Sequence, residues 1–153
     1  MRDIDVVDEA RFDADPAIVY QAVVDQLSGK IDWWSPHFVS RLRGETPADQ
    51  VGGKVDMSVH GGPLTPRFTG RTIEVIQDHK LRVEYFEGDF RGEGIWTFEL
   101  LDDHTLLRFR WHVVPHRRLF RVLSPFVDIG KAHSETMKAG FEGLNRYLRS
   151  KNE

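Results

Sequence analysis

The chain has 153 residues, of which 40% are hydrophobic and 29% charged, a size and composition typical of one globular domain. Its formal net charge of −3 indicates that nucleic acid is not its partner, because phosphate binding requires a basic surface. The absence of cysteine excludes disulfides, thiolate nucleophiles and cysteine-based metal sites. No run approaches the ~18 apolar residues of a membrane span and the N-terminus lacks a secretion signal, so we expect a single cytoplasmic domain over residues 1–153.

The elements predicted in chain order are a strand, a helix, a second short helix or turn, six further strands and a long helix. Alternation over residues 2–13 predicts the first strand. Asp15-Pro16 is typical of a helix start, and Ser28-Gly29 of its end. Residues 31–34 predict the second helix or turn. The six strands are predicted over residues 38–44, 54–60, 67–78, 81–87, 94–101 and 105–114.

The last two predicted strands alternate most clearly between apolar and polar residues. Phe109, Trp111 and Val113 share one face, whereas Arg108 and Arg110 share the other. This pattern indicates an antiparallel sheet with one apolar and one solvated face. Because short turns join the neighbouring strands, we expect a seven-stranded antiparallel sheet that twists and curls.

The last helix is predicted to run without interruption from Ser124-Pro125 to about Arg149, a length of ~37 Å. Glycine is about 1 kcal/mol less favourable than alanine inside a helix. Two glycines on an apolar face therefore indicate either very close backbone packing or room left for a ligand, and we favour the second interpretation. The residues that a helical wheel places on this face are Phe126, Gly130, His133, Met137, Gly140, Phe141, Leu144 and Leu148.

Four segments carry a resemblance to a known family: residues 14–20 (ADPAIVY), 34–36 (WSP), 94–98 (GIWTF) and 143–148 (GLNRYL). Together with the element order they resemble the START-like helix-grip (SRPBCC) superfamily, in its polyketide cyclase/dehydrase-like branch. The resemblance implies an α+β helix-grip fold, with a curved seven-stranded antiparallel sheet around a long C-terminal helix and two short helices after strand 1. It also implies an internal cavity for apolar or amphipathic ligands, but it supplies no catalytic motif.

Three residues are candidates for chemistry. His133 lies near the centre of the predicted apolar stripe, where a buried imidazole can act as acid, base or ligand anchor, or serve as a hydrogen-bonded core residue. Glu87 shares the parity of Val83 and Tyr85, so we expect it to point inward as a candidate general base, with a solvated position beside the following turn as the alternative. Tyr85 can present its hydroxyl to a ligand or remain a half-buried strand residue.

The leading hypothesis is a carrier or sensor that binds a small hydrophobic, ring-containing or lipid-like ligand between sheet and helix, as a monomer or homodimer. We predict no cofactor and no metal, because the histidines lack ligand spacing. The predicted ligand-binding residues are Trp34, Phe68, Tyr85, Trp96, Phe98, Phe109, Trp111, His133, Met137 and Phe141.

Two alternatives stay open. The first is a polyketide cyclase/dehydratase-like enzyme, in which two convergent titratable groups such as His133 and Glu87 move protons. The second is a lipid-exchange or protein-partner module that uses the basic and apolar segment 116–123, although membrane contact is not the main expectation. The sequence does not decide which side chains of the strands over residues 54–60 and 67–78 face inward.

Overall fold

The computed structural model describes residues 3–60, 62 and 64–151. The predicted strands and the C-terminal helix are confirmed, and the strand ends differ from the prediction by at most four residues. In chain order the elements are β1 (Ile4–Phe12), α1 (Pro16–Ser28), β2 (Phe38–Arg43), β3 (Lys54–Val59), β4 (Arg67–Ile76), β5 (Lys80–Gly88), β6 (Phe90–Leu101), β7 (His104–Pro115), α2 (Arg118–Leu123) and α3 (Ile129–Ser150).

The strands form one antiparallel sheet of seven strands in the order β1-β7-β6-β5-β4-β3-β2. The parity predicted for the last hairpin is confirmed, since Phe109, Trp111 and Val113 are buried on the inner face. The outer face carries cross-strand ion pairs, among them Arg110 with Asp5 at 2.7 Å. The sheet therefore has one apolar face, which the helices cover in part.

A β-bulge interrupts the alternation of β5. Thr69 of β4 pairs with Glu87, whereas the next residue, Gly70, pairs with Tyr85, so Phe86 is an extra residue on the β5 side. A bulge of this kind places two residues of one strand opposite one residue of the other. Tyr85 and Glu87, two positions apart, consequently lie on opposite faces of the sheet.

The segment between α1 and β2 is a series of turns, so the second short helix predicted after strand 1 is absent and the alternative of a turn holds. The Trp34 carbonyl accepts from the backbone N–H of His37 at 3.1 Å. Pro36 disfavours helical geometry at the residue before it. The turns are anchored on α1, because the Trp33 indole N–H donates to the Ala22 carbonyl at 3.0 Å.

The predicted start of the last helix is wrong. α3 begins at Ile129, and the Asp128 side chain caps it by accepting from the Lys131 backbone N–H at 2.9 Å. Aspartate is a preferred N-cap, so the helix starts there and not at Ser124-Pro125. Phe126, which the helical wheel placed on the apolar face, is 83% exposed.

The α3 helix has 22 residues and is about 33 Å long at 1.5 Å per residue. Within the described ranges, no helix has both the length and the apolar character that crossing a membrane would need.

The glycines of α3 allow close packing and do not create space. A Cβ at Gly140 would lie 2.5 Å from the Trp34 indole, and a Cβ at Gly130 would lie 3.1 Å from a Val6 methyl group. The interpretation that Gly130 and Gly140 leave room for a ligand is therefore wrong, and the alternative of close backbone packing is correct.

Candidate functional site

A cavity of about 480 Å³ nevertheless lies inside the fold. The main helix–sheet contacts are those of α3 with β1 and of α1 with β2, β6 and β7. The inner faces of β3, β4 and β5, where none of these main helix contacts falls, border the cavity together with Trp96 of β6 and Phe109 and Trp111 of β7. Its volume falls within the range of small-molecule sites and is about three times that of a ~150 Å³ cavity that binds benzene.

Seven of the ten residues predicted to bind ligand line this cavity. They come from the turns after α1, from strands β4 to β7 and from α3, and are Trp34, Phe68, Tyr85, Trp96, Phe109, Trp111 and His133. Aromatic rings touch one another along this wall, as in the stacked pair Trp96 and Phe109, whose centroids are 4.1 Å apart. The wall is therefore a continuous apolar and aromatic surface.

The other three predicted residues, Phe98, Met137 and Phe141, lie in the packed core and not in the cavity wall. Phe98 packs against Tyr20 of α1 with centroids 5.3 Å apart, and Phe141 packs against Phe12 at 6.1 Å. They occupy the part of the interface that α1 and the later turns of α3 close. A helical wheel shows which residues face the sheet, but it does not show where along the helix the covering ends.

The cavity-facing stripe of α3 consists of short side chains that were not predicted from the sequence: Ala132, Thr136 and Ala139. Their spacing of four and three residues puts them on one helix face, next to the glycine face that packs against other elements. This stripe of short side chains was a usable signal. Strand residues Val55, Met57 and Val83 were missed as well, the first two because the parity of β3 was undecided.

Exposed lining residues mark the opening of the cavity. His37, Val127, Ala132 and Glu135 line it and are themselves exposed to solvent. Among the lining residues that the structure describes, Glu135 is the only one with a formal charge at neutral pH when histidine is neutral, and there is no lysine or arginine. The described wall therefore offers no lysine or arginine as a permanent cationic partner to an anionic ligand.

His133 lies at the edge of the cavity, stacked on Trp111 with an interplanar angle of 7° and centroids 4.1 Å apart. Burial lowers the pKa of His133 to about 3, because the charged imidazolium loses its hydration, and the ring is therefore neutral at neutral pH. Its Nε2 atom is fully buried and has no hydrogen-bond partner among the described residues.

Asp8 of β1 faces this histidine and was not identified from the sequence. Its Oδ2 lies 3.9 Å from His133 Nε2, beyond the hydrogen-bond range of about 2.7–3.2 Å, and is also buried without a described partner. Leaving a buried polar group unpaired costs about 1–3 kcal/mol, so such a pair requires an explanation. The signal in the sequence was an acidic residue in register with Ile4, Val6 and Ala10 on the inner face of β1.

Tyr85 points into the cavity and packs edge-on against Phe68 with centroids 5.1 Å apart. Burial raises the pKa of the Tyr85 hydroxyl above its ordinary value, an effect that the Trp111 side chain opposes only in part. The hydroxyl is therefore protonated at neutral pH and can donate or accept a hydrogen bond.

Glu87 does not point inward, so its predicted orientation is wrong. The bulge at Phe86 turns it to the outer face, where its carboxylate pairs with Arg43 at 2.7 Å and is half exposed. Arg43 also binds Asp56 at 2.7 Å. The pair of Glu87 and His133 considered from the sequence is therefore not assembled, and Asp8 is the carboxylate beside His133.

The basic and apolar segment forms the short helix α2 near the cavity opening. Phe120 is buried and lines the cavity, whereas Leu119 and Val122 are exposed on the surface. The hypothesis that this segment serves lipid exchange or a protein partner stays a prediction.

No protein-family model and no curated protein matches the chain. Solved structures do match it. A protein from Thermus thermophilus is 18% identical with a TM-score of 0.75, covering 97% of this chain and 99% of its own. A START superfamily protein from Mycobacterium smegmatis is 15% identical with a TM-score of 0.71, covering 95% and 97%. The structure of Ara h 8.0201 is 11% identical with a TM-score of 0.64, covering 97% and 99%.

These likenesses, at low identity but over nearly the whole chain, show the fold. The protein has the α+β helix-grip fold of START-like proteins, and the resemblance expected from the sequence is confirmed at that level.

Proposed function

We propose that this protein binds a small, uncharged, hydrophobic ligand that contains one or more rings, in the cavity between sheet and α3. The observation that carries the proposal is the cavity of about 480 Å³ with its aromatic wall. Each square ångström of apolar surface removed from water contributes roughly 25 cal/mol, so such a wall supplies most of the binding free energy. The START-like fold supports the proposal, because the resemblance implies an internal cavity for apolar ligands.

The charge of the ligand follows from the lining. A carboxylate or phosphate buried without a cationic partner loses its hydration and gains little in return. Because the described lining residues include no lysine or arginine, neutral compounds are favoured over anionic ones. Tyr85 and His133 are polar side chains of the wall that can orient a ligand.

A fluorescence titration tests the proposal with N-phenyl-1-naphthylamine, an uncharged aromatic probe that brightens in apolar surroundings. Saturable binding is expected. The variant Ala139→Trp places an indole in the cavity and should weaken binding by about ten-fold or more, which corresponds to about 1.4 kcal/mol. Lys138→Trp, which places the same ring on the exposed side of α3, is the matched control and should bind like the wild type.

A competition experiment tests the charge preference. Methyl 2-naphthoate and 2-naphthoate have the same rings, but only the second is anionic at neutral pH. The ester should displace the probe, and the acid should not. Absence of saturable probe binding, or equal binding by wild type and Ala139→Trp, would refute binding in this cavity.

A cyclase- or dehydratase-like enzyme is the second candidate function. The observation that favours it is the pair of largely buried titratable side chains, Asp8 and His133, at 3.9 Å beside the cavity. Proton transfer to and from a folded poly-β-ketone needs such a group within reach of the reacting carbon. The test is turnover of a ring-forming poly-β-ketone by the wild type and by His133→Ala. Loss of turnover in His133→Ala would support the enzyme function, and equal turnover by both proteins would remove His133 from the mechanism.

A further inference from the structure

Asp8 and His133 lie side by side at the cavity, and neither Asp8 Oδ2 nor His133 Nε2 has a hydrogen-bond partner among the described residues. Asp8 lies on the inner face of β1, opposite Phe109 of β7, and His133 is in the first turns of α3. Among the described residues, His133 is the only basic side chain within ion-pair distance of Asp8. The Oδ2–Nε2 distance of 3.9 Å needs to shorten by about 1 Å to reach an ordinary hydrogen bond.

The surroundings of the histidine ring limit how it can turn. Trp111 stacks on its face, and Phe109 lies at 5.8 Å between centroids. Nε2 is buried on the side of Asp8, and His133 is one of the residues that line the cavity. Nδ1 makes no hydrogen bond to a described residue and is not among the buried atoms without a partner. It is therefore the polar atom that His133 can present to a ligand.

The state of the carboxylate decides which nitrogen carries the ring proton. An ionised carboxylate can only accept hydrogen bonds, so it bonds to a neutral histidine only when the proton is on the nitrogen that faces it. A carboxylate also sets the tautomer of the histidine in hydrolytic triads, although there it binds Nδ1–H and leaves Nε2 as the acceptor.

We propose that Asp8 is a positioning residue that holds the proton of His133 on Nε2, so that the bare Nδ1 accepts a hydrogen bond from the hydroxyl of a phenol- or alcohol-bearing ligand. This inference rests on the proposed function and narrows it to a class of ligand. A neutral hydroxyl agrees with the lining, which has no lysine or arginine among the described residues.

Two naphthalene probes that differ in one hydrogen-bond donor test the proposal. 2-Naphthol carries a hydroxyl, and 2-methoxynaphthalene carries the same rings and oxygen without the donor. Each is titrated against bound N-phenyl-1-naphthylamine. The wild type should prefer 2-naphthol by about ten-fold, a value typical of one hydrogen bond in a buried site.

The variant Asp8→Asn keeps the shape of the side chain and changes its hydrogen bonding. The amide is uncharged and can donate to Nε2 through its NH2 group, so it no longer requires the ring proton to be on Nε2, and a proton on Nδ1 removes the acceptor offered to the ligand. The preference for 2-naphthol should fall to within about two-fold, because the wild-type hydrogen bond is lost. Glu9→Gln is the matched control: it makes the same chemical change on β1, at a residue that pairs with Arg108 on the surface, and should keep the preference.

Nitrogen-15 NMR of His133 gives a second measurement, which reports the tautomer directly and needs no ligand. The wild type should show a protonated Nε2 and a bare Nδ1, and a folded Asp8→Asn should show the reverse. A proton on Nδ1 in the wild type would overturn the proposal. So would equal affinity for the two probes, or an unchanged preference in Asp8→Asn.

The same experiments distinguish a failure of the role of Asp8 from a failure of the proposed function. If N-phenyl-1-naphthylamine and both naphthalenes bind but are not discriminated, the cavity function stands and the role of Asp8 falls. If none of them binds, the proposed function fails, whatever tautomer the spectra show.

Discussion

The inner face of the sheet has two parts that differ in how they are covered. One part lies beneath α1 and the later turns of α3, where Leu107 and Leu144 are 0% exposed and rings interlock. The other part, centred on β3 to β5 and reaching the neighbouring aromatic residues of β6 and β7, borders the cavity, where Met57 and Val83 are almost as buried. Both parts are built mainly from apolar residues. The number of helices available to cover the sheet, and not the hydrophobicity of its face, therefore decides where the fold is solid and where it is hollow.

A matched pair of methionines should show this difference most strongly. Met137→Ala removes a side chain that is packed on all sides, so we expect a loss of about 2–5 kcal/mol in the free energy of unfolding. Met57→Ala enlarges a cavity that already exists, so its cost should be at least about 1 kcal/mol smaller. Chemical denaturation of both variants measures the contrast, and equal losses would contradict it.

The pH dependence of stability tests whether His133 is buried as a neutral ring. Its pKa is lowered to about 3 in the folded state, against about 6.5 when unfolded, so the unfolded chain binds more protons between these values. Burial of His133 should therefore not reduce the free energy of unfolding above about pH 6.5. Below that pH, the free energy of unfolding should fall as the pH is lowered toward 3, by at most about 1.4 kcal/mol per pH unit.

The control for this prediction is His133→Phe, which keeps a stacked ring but cannot titrate. Its stability should fall less steeply between pH 6.5 and 4 than that of the wild type. The comparison is repeated in an Asp8→Asn background, so that the residue facing position 133 is the same uncharged amide in both proteins. Parallel curves would show that His133 is not held neutral by burial.

The glycines of α3 test how tightly the solid part is packed. Gly140→Ala should destabilise the protein by about 1–3 kcal/mol, because its Cβ would lie 2.5 Å from the Trp34 indole. Gly130→Ala should be close to neutral, because its Cβ meets only a Val6 methyl at 3.1 Å and alanine is the better helix former. Thermal unfolding compares the two, and a stabilised Gly140→Ala would mean that this contact is loose.

The smallest effect is expected on the outer face. Glu87→Gln breaks an ion pair with Arg43 in which both side chains are about half exposed, so it should cost less than about 1 kcal/mol. Binding of N-phenyl-1-naphthylamine should not change. A marked loss of binding in Glu87→Gln would show that this side chain reaches the cavity after all.

Regular alternation made the sheet predictable from the sequence. The faces of the β6–β7 hairpin were predicted correctly, because inward positions such as Phe109 and Trp111 are aromatic and outward positions such as Arg108 are charged. Its extent was predicted to within four residues. The long helix was predicted for the same reason, since its periodic apolar face runs through Leu144 and Leu148. Local patterns of this kind depend on one element and the nearest neighbour of that element.

The parts of the site that were not predicted depend on partners distant in the chain. The sequence alone does not show whether Gly140 leaves room for a ligand or for the Trp34 indole, which comes from a distant part of the chain. Asp8 becomes notable only when α3 places His133 above β1. The orientation of Glu87 depends on how β5 is paired with β4, which periodicity within β5 cannot show.

The bulge in β5 has a consequence for the chemistry of the interior. Because Phe86 has no partner of its own on β4, the side chain after it has the opposite phase to the one that strict alternation would give. Without this mismatch, Glu87 would share the orientation of Tyr85 and point into the hollow. A difference of a single residue between two neighbouring strands thus keeps a carboxylate out of the apolar chamber. Inserting one residue in β4, so that Phe86 gained a partner, would turn Glu87 toward the interior.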